Sequence, residues 1–266
     1  MKRFFTTIVF LFLAFGTVLH LNAQGNIEKE SNEYVKLSMR LLGAVKNDKD
    51  VAPYTKEMET LSLDELGEAL ITDQEIKAFW INTYNAYVQI LLTENPELFK
   101  ERNDFFKKDR VKIGGEQLSF DFIEHGIIRG SKIKLSMGFL KDPFAGELEK
   151  KFRVEETDGR IHFALNCGAK SCPYVATFSS VNLDNELDAI AKQFLTRTTT
   201  FKPGENTAYV TTLFSWFKGD FSDKGGATGF LKKYNVIGDD LDPEIEYKDY
   251  DWTLALNNFT ELNIYQ

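Results

Sequence analysis

The run from Asp73 to about Leu92 constrains the fold more than any other part of the chain. It reads as one helix, with Asp73 as its N-cap and Asn95-Pro96 as its stop. Its middle, Phe79 to Tyr87 (FWINTYNAY), is apolar on nearly every side, and a helix of that kind has to be buried. Asn82, Asn85 and Gln89 share one face at i, i+3 and i+7, beside a stripe of Trp80, Tyr84, Tyr87 and Leu91. A buried amide without a partner costs roughly 1–3 kcal/mol. The three amides therefore predict either a satisfied polar network that fixes helix packing or a set of donors at a site.

The rest of the pattern supplies cover for that helix. Amphipathic helices are expected over 25–45 and 60–70, a hairpin around Gly114-Gly115, and a helix from Phe120 to Arg129 capped by Ser119. Asp158-Gly159 signals a second hairpin before a strand over Arg160–Asn166, and a helix follows over Leu183 to about Leu195. Tyr209–Thr212 reads as a strand, Phe230–Tyr234 as a helix, and Ile245–Trp252 as a closing strand. The expected class is α+β: a single, mainly helical domain over 24–266 with a small antiparallel sheet.

The N-terminus reads as a secretory leader. Lys2-Arg3 is basic, Ile8–Phe15 is uninterruptedly apolar, and Leu21-Asn22-Ala23 ends on a small residue. The apolar run falls short of the ~20 residues a membrane span needs, so residues 1–23 are expected to be a cleaved signal peptide. No membrane span is expected after cleavage, and the product is expected to be secreted or periplasmic. Removing the leader leaves 30 bases against 40 acids, a net −10. That sign argues against a nucleic-acid partner and against a polybasic membrane-surface protein.

Thiol chemistry has few possible sites, because the chain after residue 23 has two cysteines and two histidines. Cys167 follows the strand-like run in a Gly-containing loop, where Lys170 could lower its pKa. It can act as a nucleophile, pair with Cys172 as a disulfide, or join a zinc site, although C-x₄-C is not a common zinc spacing. Asp121, His125 and Arg129 stack at i, i+4 and i+8, so Asp121 or Glu124 could orient His125 as a general base. Five residues of continuing strand span about 16 Å. That spacing keeps His162 from Cys167 and makes His125 the expected base.

Four runs, AFWINTYNAY, FIEHGIIRG, RIHFALNCGAKSCP and YDWTLALN, occur in this order. Together they resemble the domain-of-unknown-function family 547, found in secreted bacterial proteins and in plant proteins with leucine-zipper-like extensions. The resemblance covers roughly residues 65–257 and implies a mainly helical α+β domain without a settled activity. The positions matching its motifs are Trp80, Asn82, Asn85, Glu124, His125, Arg129, Cys167 and Trp252, and it carries Cys167 with His125 as a pair.

The resulting expectation is a cysteine-dependent hydrolase or acyl-transfer enzyme acting on an amide or ester, with no cofactor and no metal. Cys167 attacks and His125 is the base, while Asn82 or Asn85 donates to the oxyanion or orients the histidine. His162, Trp80 and Arg129 contact the substrate, an unidentified small molecule or peptide. The competing expectation is a cell-envelope binding or scaffold module stapled by a Cys167–Cys172 disulfide.

Overall fold

A computed structural model describes residues 27–262 and 264, and the expected leader lies outside them. The chain is α+β: helices carry most of the ordered residues, with two small sheets. Among the described residues, no helix is long and apolar enough to cross a membrane.

The central helix, α4, spans Asp73–Glu94 and is buried without a break from Ile76 to Gln89. Its cap is Thr72 rather than Asp73. The Thr72 hydroxyl accepts from the Glu75 amide, and the Glu75 carboxylate accepts from the Thr72 amide, a reciprocal capping box. Helix α1 (Glu33–Lys46) lies along α4. It starts later than the pattern suggested, where the Asn32 side chain accepts from the Tyr34 and Val35 amides. Short helices α2 (Ala52–Thr60), α3 (Leu63–Ala69) and α5 (Arg102–Lys107) complete this layer. The hairpin forms as expected, with β1 (Val111–Ile113) antiparallel to β2 (Glu116–Leu118).

Beyond the hairpin, Phe122–Ile128 is π-helical, with the Arg129 amide donating five residues back to the Glu124 carbonyl. The wider turn packs on α4 and on α6 (Glu147–Phe152). π-turns often occur at functional sites. Helix α7 (Leu183–Thr198) leads to a three-stranded sheet, in which β3 (Thr200–Lys202) pairs antiparallel with β4 (Thr207–Val210). β4 pairs parallel with β5 (Glu244–Tyr247). Phe163, Phe194, Phe214, Phe221 and Phe230 form a second core with α7, the one-turn helix α8 (Leu213–Trp216) and helix α9 (Gly226–Lys233).

Two expectations fail here. Arg160–Asn166 is not a strand. Residues Gly159–Phe163 form a 3₁₀ helix whose start is capped by the Asp158 carboxylate, which accepts from the Arg160 amide at 2.9 Å. Gly159 is needed because a Cβ there would sit 2.6 Å from the Asp220 carbonyl oxygen. The closing strand ends at Tyr247, and Tyr250–Trp252 runs on as irregular chain.

Candidate functional site

The face of α4 that carries the amides holds the cysteine loop in place. Asn85 donates to the Ala164 carbonyl at 2.9 Å and accepts from the Asn166 amide at 2.8 Å. One turn back, Asn82 donates to the Phe178 carbonyl at 2.7 Å and accepts from the Phe178 amide at 2.9 Å. Gln89 accepts from the Asn257 amide at 2.9 Å. Asn82 and Asn85 act as backbone surrogates, each bonding a donor and an acceptor of the chain that faces it. The expectation that Asn82 or Asn85 serves an oxyanion is therefore corrected: both are fully buried and already bonded, and neither lines the cavity. Asn85→Ala would strand the Ala164 carbonyl and the Asn166 amide. A loss of about 2–3 kcal/mol is expected in urea denaturation, and a loss under about 1 kcal/mol would contradict the clamp.

The loop so held, residues 167–172, is stitched to the C-terminal segment. The Lys170 amide donates to Thr253, the Ala255 amide donates to Gly168, and the Asp251 amide donates to the Ser171 hydroxyl. Gly168 adopts a left-handed φ of +85°, and a Cβ there would meet Leu92 at 2.8 Å. This stitching carries Tyr250 and Trp252 over Cys167.

A cavity of ≈ 160 Å³ opens here, with Cys167, His125, His162, Glu124 and Asp121 on its polar side. Its apolar wall is aromatic, built from Trp216, Phe217, Tyr250 and Trp252. The Tyr250 and Trp252 rings are 4.6 Å apart, and Trp216 stacks on Trp252 at 5.8 Å. Trp252 is thus part of the cavity and not only of a structural closing strand.

Both cysteines are free thiols and converge on one hydroxyl: Tyr250 lies 3.5 Å from the Cys167 sulfur and 3.2 Å from that of Cys172. The Cys167 amide also points at the Cys172 sulfur, at 3.1 Å. The Cys172 hydrogen bond draws the Cys167 thiol below its ordinary pKa, with help from Tyr250 and against the effect of burial. Burial and the neighbouring Cys167 push the Cys172 thiol well up. Cys167 is therefore the partner that ionises first. The expected helper, Lys170, instead pairs with Asp251 at 3.1 Å.

Behind the cavity runs a buried polar chain that crosses three elements. The Asp220 carboxylate lies 2.8 Å from His162 Nε2 and accepts from Arg129 Nε at 2.6 Å. Arg129 Nη1 then donates to His125 Nδ1 at 2.8 Å. The His162 ring stacks on Phe217 at 3.7 Å, while Arg129 lies 4.7 Å from the Phe217 ring centre. Burial raises the Asp220 carboxyl, but its bonds to His162 and Arg129 outweigh this and leave it below the usual carboxylate range. Burial pushes the nearby Glu124 carboxyl up, with the Asp121 charge adding to the rise and His162, Arg129 and Lys134 opposing it.

This chain reassigns the two histidines. Arginine can only donate, so His125 Nδ1 is the accepting nitrogen and Nε2 carries the hydrogen. Burial and the Arg129 charge lower the His125 pKa to about 3, so the ring is neutral. Its Nε2 is buried with no hydrogen-bond partner, and Asp121, paired with Lys134, lies 3.7 Å away. The expectation of His125 as general base is thereby corrected: its basic nitrogen is occupied, and the ring is a hydrogen-bond donor. His162 has the opposite arrangement, because a carboxylate on Nε2 leaves Nδ1 with the lone pair. Burial lowers its pKa and the Asp220 bond raises it, and burial prevails. The distance argument against His162 assumed a strand, and the 3₁₀ turn removes that premise.

Arg129 and Trp80, expected at the substrate, are elsewhere. Both are fully buried; Trp80 packs edge-on against Phe79 and Phe152. Sequence reading missed Asp220, Trp216 and Tyr250 as site residues. Asp220 stands 58 positions from His162, in a 3₁₀ helix over Lys218–Lys224, and gave no signal, whereas the paired aromatics of the YDW run were a visible one.

The fold and the site together define an α+β protein with a thiol-bearing, aromatic-walled cavity backed by a buried His–Asp–Arg–His chain. Residues 69–195 match the family described as "Protein of unknown function, DUF547", and the chain belongs to that family. The match includes Cys167 and both histidines, while Asp220 and the wall from Trp216, Tyr250 and Trp252 lie beyond it. No curated protein and no solved structure matches the chain.

Proposed function

We propose that the chain is a secreted or periplasmic thiol enzyme that hydrolyses or transfers an acyl group from an amide or ester. The observation that carries this reading is the cavity itself, lined by a thiol drawn below its ordinary pKa and by a histidine bonded to a buried carboxylate. The Cys167 thiol passes its proton to His162 Nδ1, and the sulfur attacks the carbonyl carbon. Asp220 stabilises the imidazolium, as the carboxylate of a triad does. The His125 Nε2–H donates to the developing oxyanion, a role that suits a histidine kept neutral by its surroundings. Collapse expels the amine or alcohol, which takes the proton from His162. Water then attacks the thioester, giving its proton to His162, and the acid and the thiol are released. The aromatic wall suits an apolar acyl portion.

Peptide-resolved alkylation with iodoacetamide between pH 5 and 9 tests the proposal. Cys167 is expected to label at pH 7 about tenfold faster than Cys172, with His162→Ala slowing Cys167 severalfold. Equal slow labelling of both thiols, unchanged in His162→Ala, would sink it. The same peptide map reads whether the secreted chain begins at Gln24.

A second reading is a non-catalytic cell-envelope binding module closed by a Cys167–Cys172 disulfide. It is favoured by the convergence of both sulfurs on the Tyr250 hydroxyl. Native protein with no titratable thiol before reduction would select it.

A further inference from the structure

The loop between the π-helical segment and α6 carries a feature that thiol chemistry does not use. Within ten residues it exposes Leu135 (94%), Met137 (46%), Phe139 (53%), Leu140 (61%) and Phe144 (89%). Most globular surfaces scatter such side chains singly, and a contiguous group marks a contact surface. Disorder does not explain the exposure, because the backbone beneath is well bonded. Ile133 donates to the Leu140 carbonyl at 2.9 Å, Asp142 to Ser131 at 2.7 Å, and the 3₁₀ turn Lys134–Ser136 shapes the tip. The loop is also anchored at both flanks: Lys132 donates to the His125 carbonyl at 3.0 Å, and Gly219 to the Met137 carbonyl at 2.8 Å. The apolar side chains are thus held outward by a folded platform.

Charge narrows the partner. The chain as a whole is acidic, yet residues 131–146 carry Lys132, Lys134 and Lys141 against the single acid Asp142. Lys134 is paired with Asp121 at 2.9 Å, which leaves Lys132 and Lys141 as the lysines beside the tip without a carboxylate partner among the described residues. A convex apolar tip flanked by lysines suits a surface that is negatively charged, soft and without preformed pockets. A bilayer containing anionic phospholipids has these properties, and Phe and Leu inserted among its headgroups beside lysine is the usual composition of an interfacial anchor. A two-fold contact with a second copy would set the two lysine groups against each other. Lys134 also lines the cavity, so the anchor and the thiol site share an edge.

We propose that the 132–144 loop docks the protein on anionic phospholipid membranes and holds the cavity mouth close to the lipid surface. This interaction stands independently of the acyl-transfer reading.

The test places a reporter at the tip. In Phe144→Trp, vesicles of phosphatidylglycerol and phosphatidylcholine are expected to blue-shift the added tryptophan emission relative to the parent chain. Nitroxide-labelled lipid is expected to quench it, with both effects weakened by 0.5 M salt. Adding Leu135→Asp, at a fully exposed position, is expected to cut the apparent vesicle affinity at least tenfold while the folded signal is kept. An unshifted tryptophan, even when the protein sediments with the vesicles through another segment, would overturn the proposal. So would an equal response to pure phosphatidylcholine. Emission already blue-shifted without lipid would also overturn it, by showing the patch covered by a second copy or by the chain's own N-terminus.

Discussion

Arg129→Met is expected to destabilise the protein by about 3–5 kcal/mol, read as a lower urea midpoint at unchanged slope. The guanidinium is fully buried and bonds Asp220 at 2.6 Å and His125 Nδ1 at 2.8 Å. Methionine fills most of the volume but leaves the Asp220 carboxylate without its cation, in a site where the Asp220 Oδ1 already has no partner. Breaking one side of a buried ion pair costs more than the pair itself contributes, because the remaining charge stays desolvated. The double variant Arg129→Met/Asp220→Leu should therefore recover part of the loss. A single-variant loss below about 1 kcal/mol would show that water reaches Asp220, and would weaken the role of the chain as a support for both histidines.

Glu186→Gln is expected to stabilise the protein by about 2–3 kcal/mol at pH 8 and to leave it nearly unchanged at pH 4. Glu186 sits on α7 and accepts from the Ser179 amide at 2.6 Å and the Ser179 hydroxyl at 2.9 Å. It thereby closes the segment that Asn82 holds at Phe178. Burial pushes its carboxyl up to about 7 against those bonds, and the Glu30 charge adds to the rise. An acid raised in the folded state contributes its stability fully below the unfolded pKa near 4.5. It loses that contribution as pH rises towards 7, because the unfolded chain ionises first. Glutamine reproduces the neutral form: its oxygen accepts from the Ser179 amide while its NH₂ meets the hydroxyl, which can reverse its role. Thermal or urea midpoints at the two pH values check this. A gain of the same size at both would assign the effect to something other than ionisation.

The presence of a thiol in this chain and its placement beside a histidine rest on different evidence. Periodicity alone put a buried helix over residues 73–92, because a segment with apolar side chains on every face has only one favourable environment. The hairpin at Gly114-Gly115 and the helices after Leu183 and around Phe230 were legible for similar local reasons, as was the scarcity of cysteine and histidine that confined the chemistry to few pairs. The strand over Arg160–Asn166 was misread because alternation over seven residues does not separate a strand from a tight turn capped by Asp158.

Roles were decided only by tertiary contacts. Whether Asn85 faces a substrate or a backbone carbonyl depends on a loop 79 residues away. Whether His125 accepts or donates a proton depends on which nitrogen Arg129 occupies. His162 is made a candidate base by an aspartate 58 residues on, brought to it by a close approach that only Gly159 allows. Local side-chain pattern sets which surfaces are buried, and it determined the α+β class and the central helix. Protonation state and hydrogen-bond direction are set by neighbours distant in the chain, and these the folded structure alone determined.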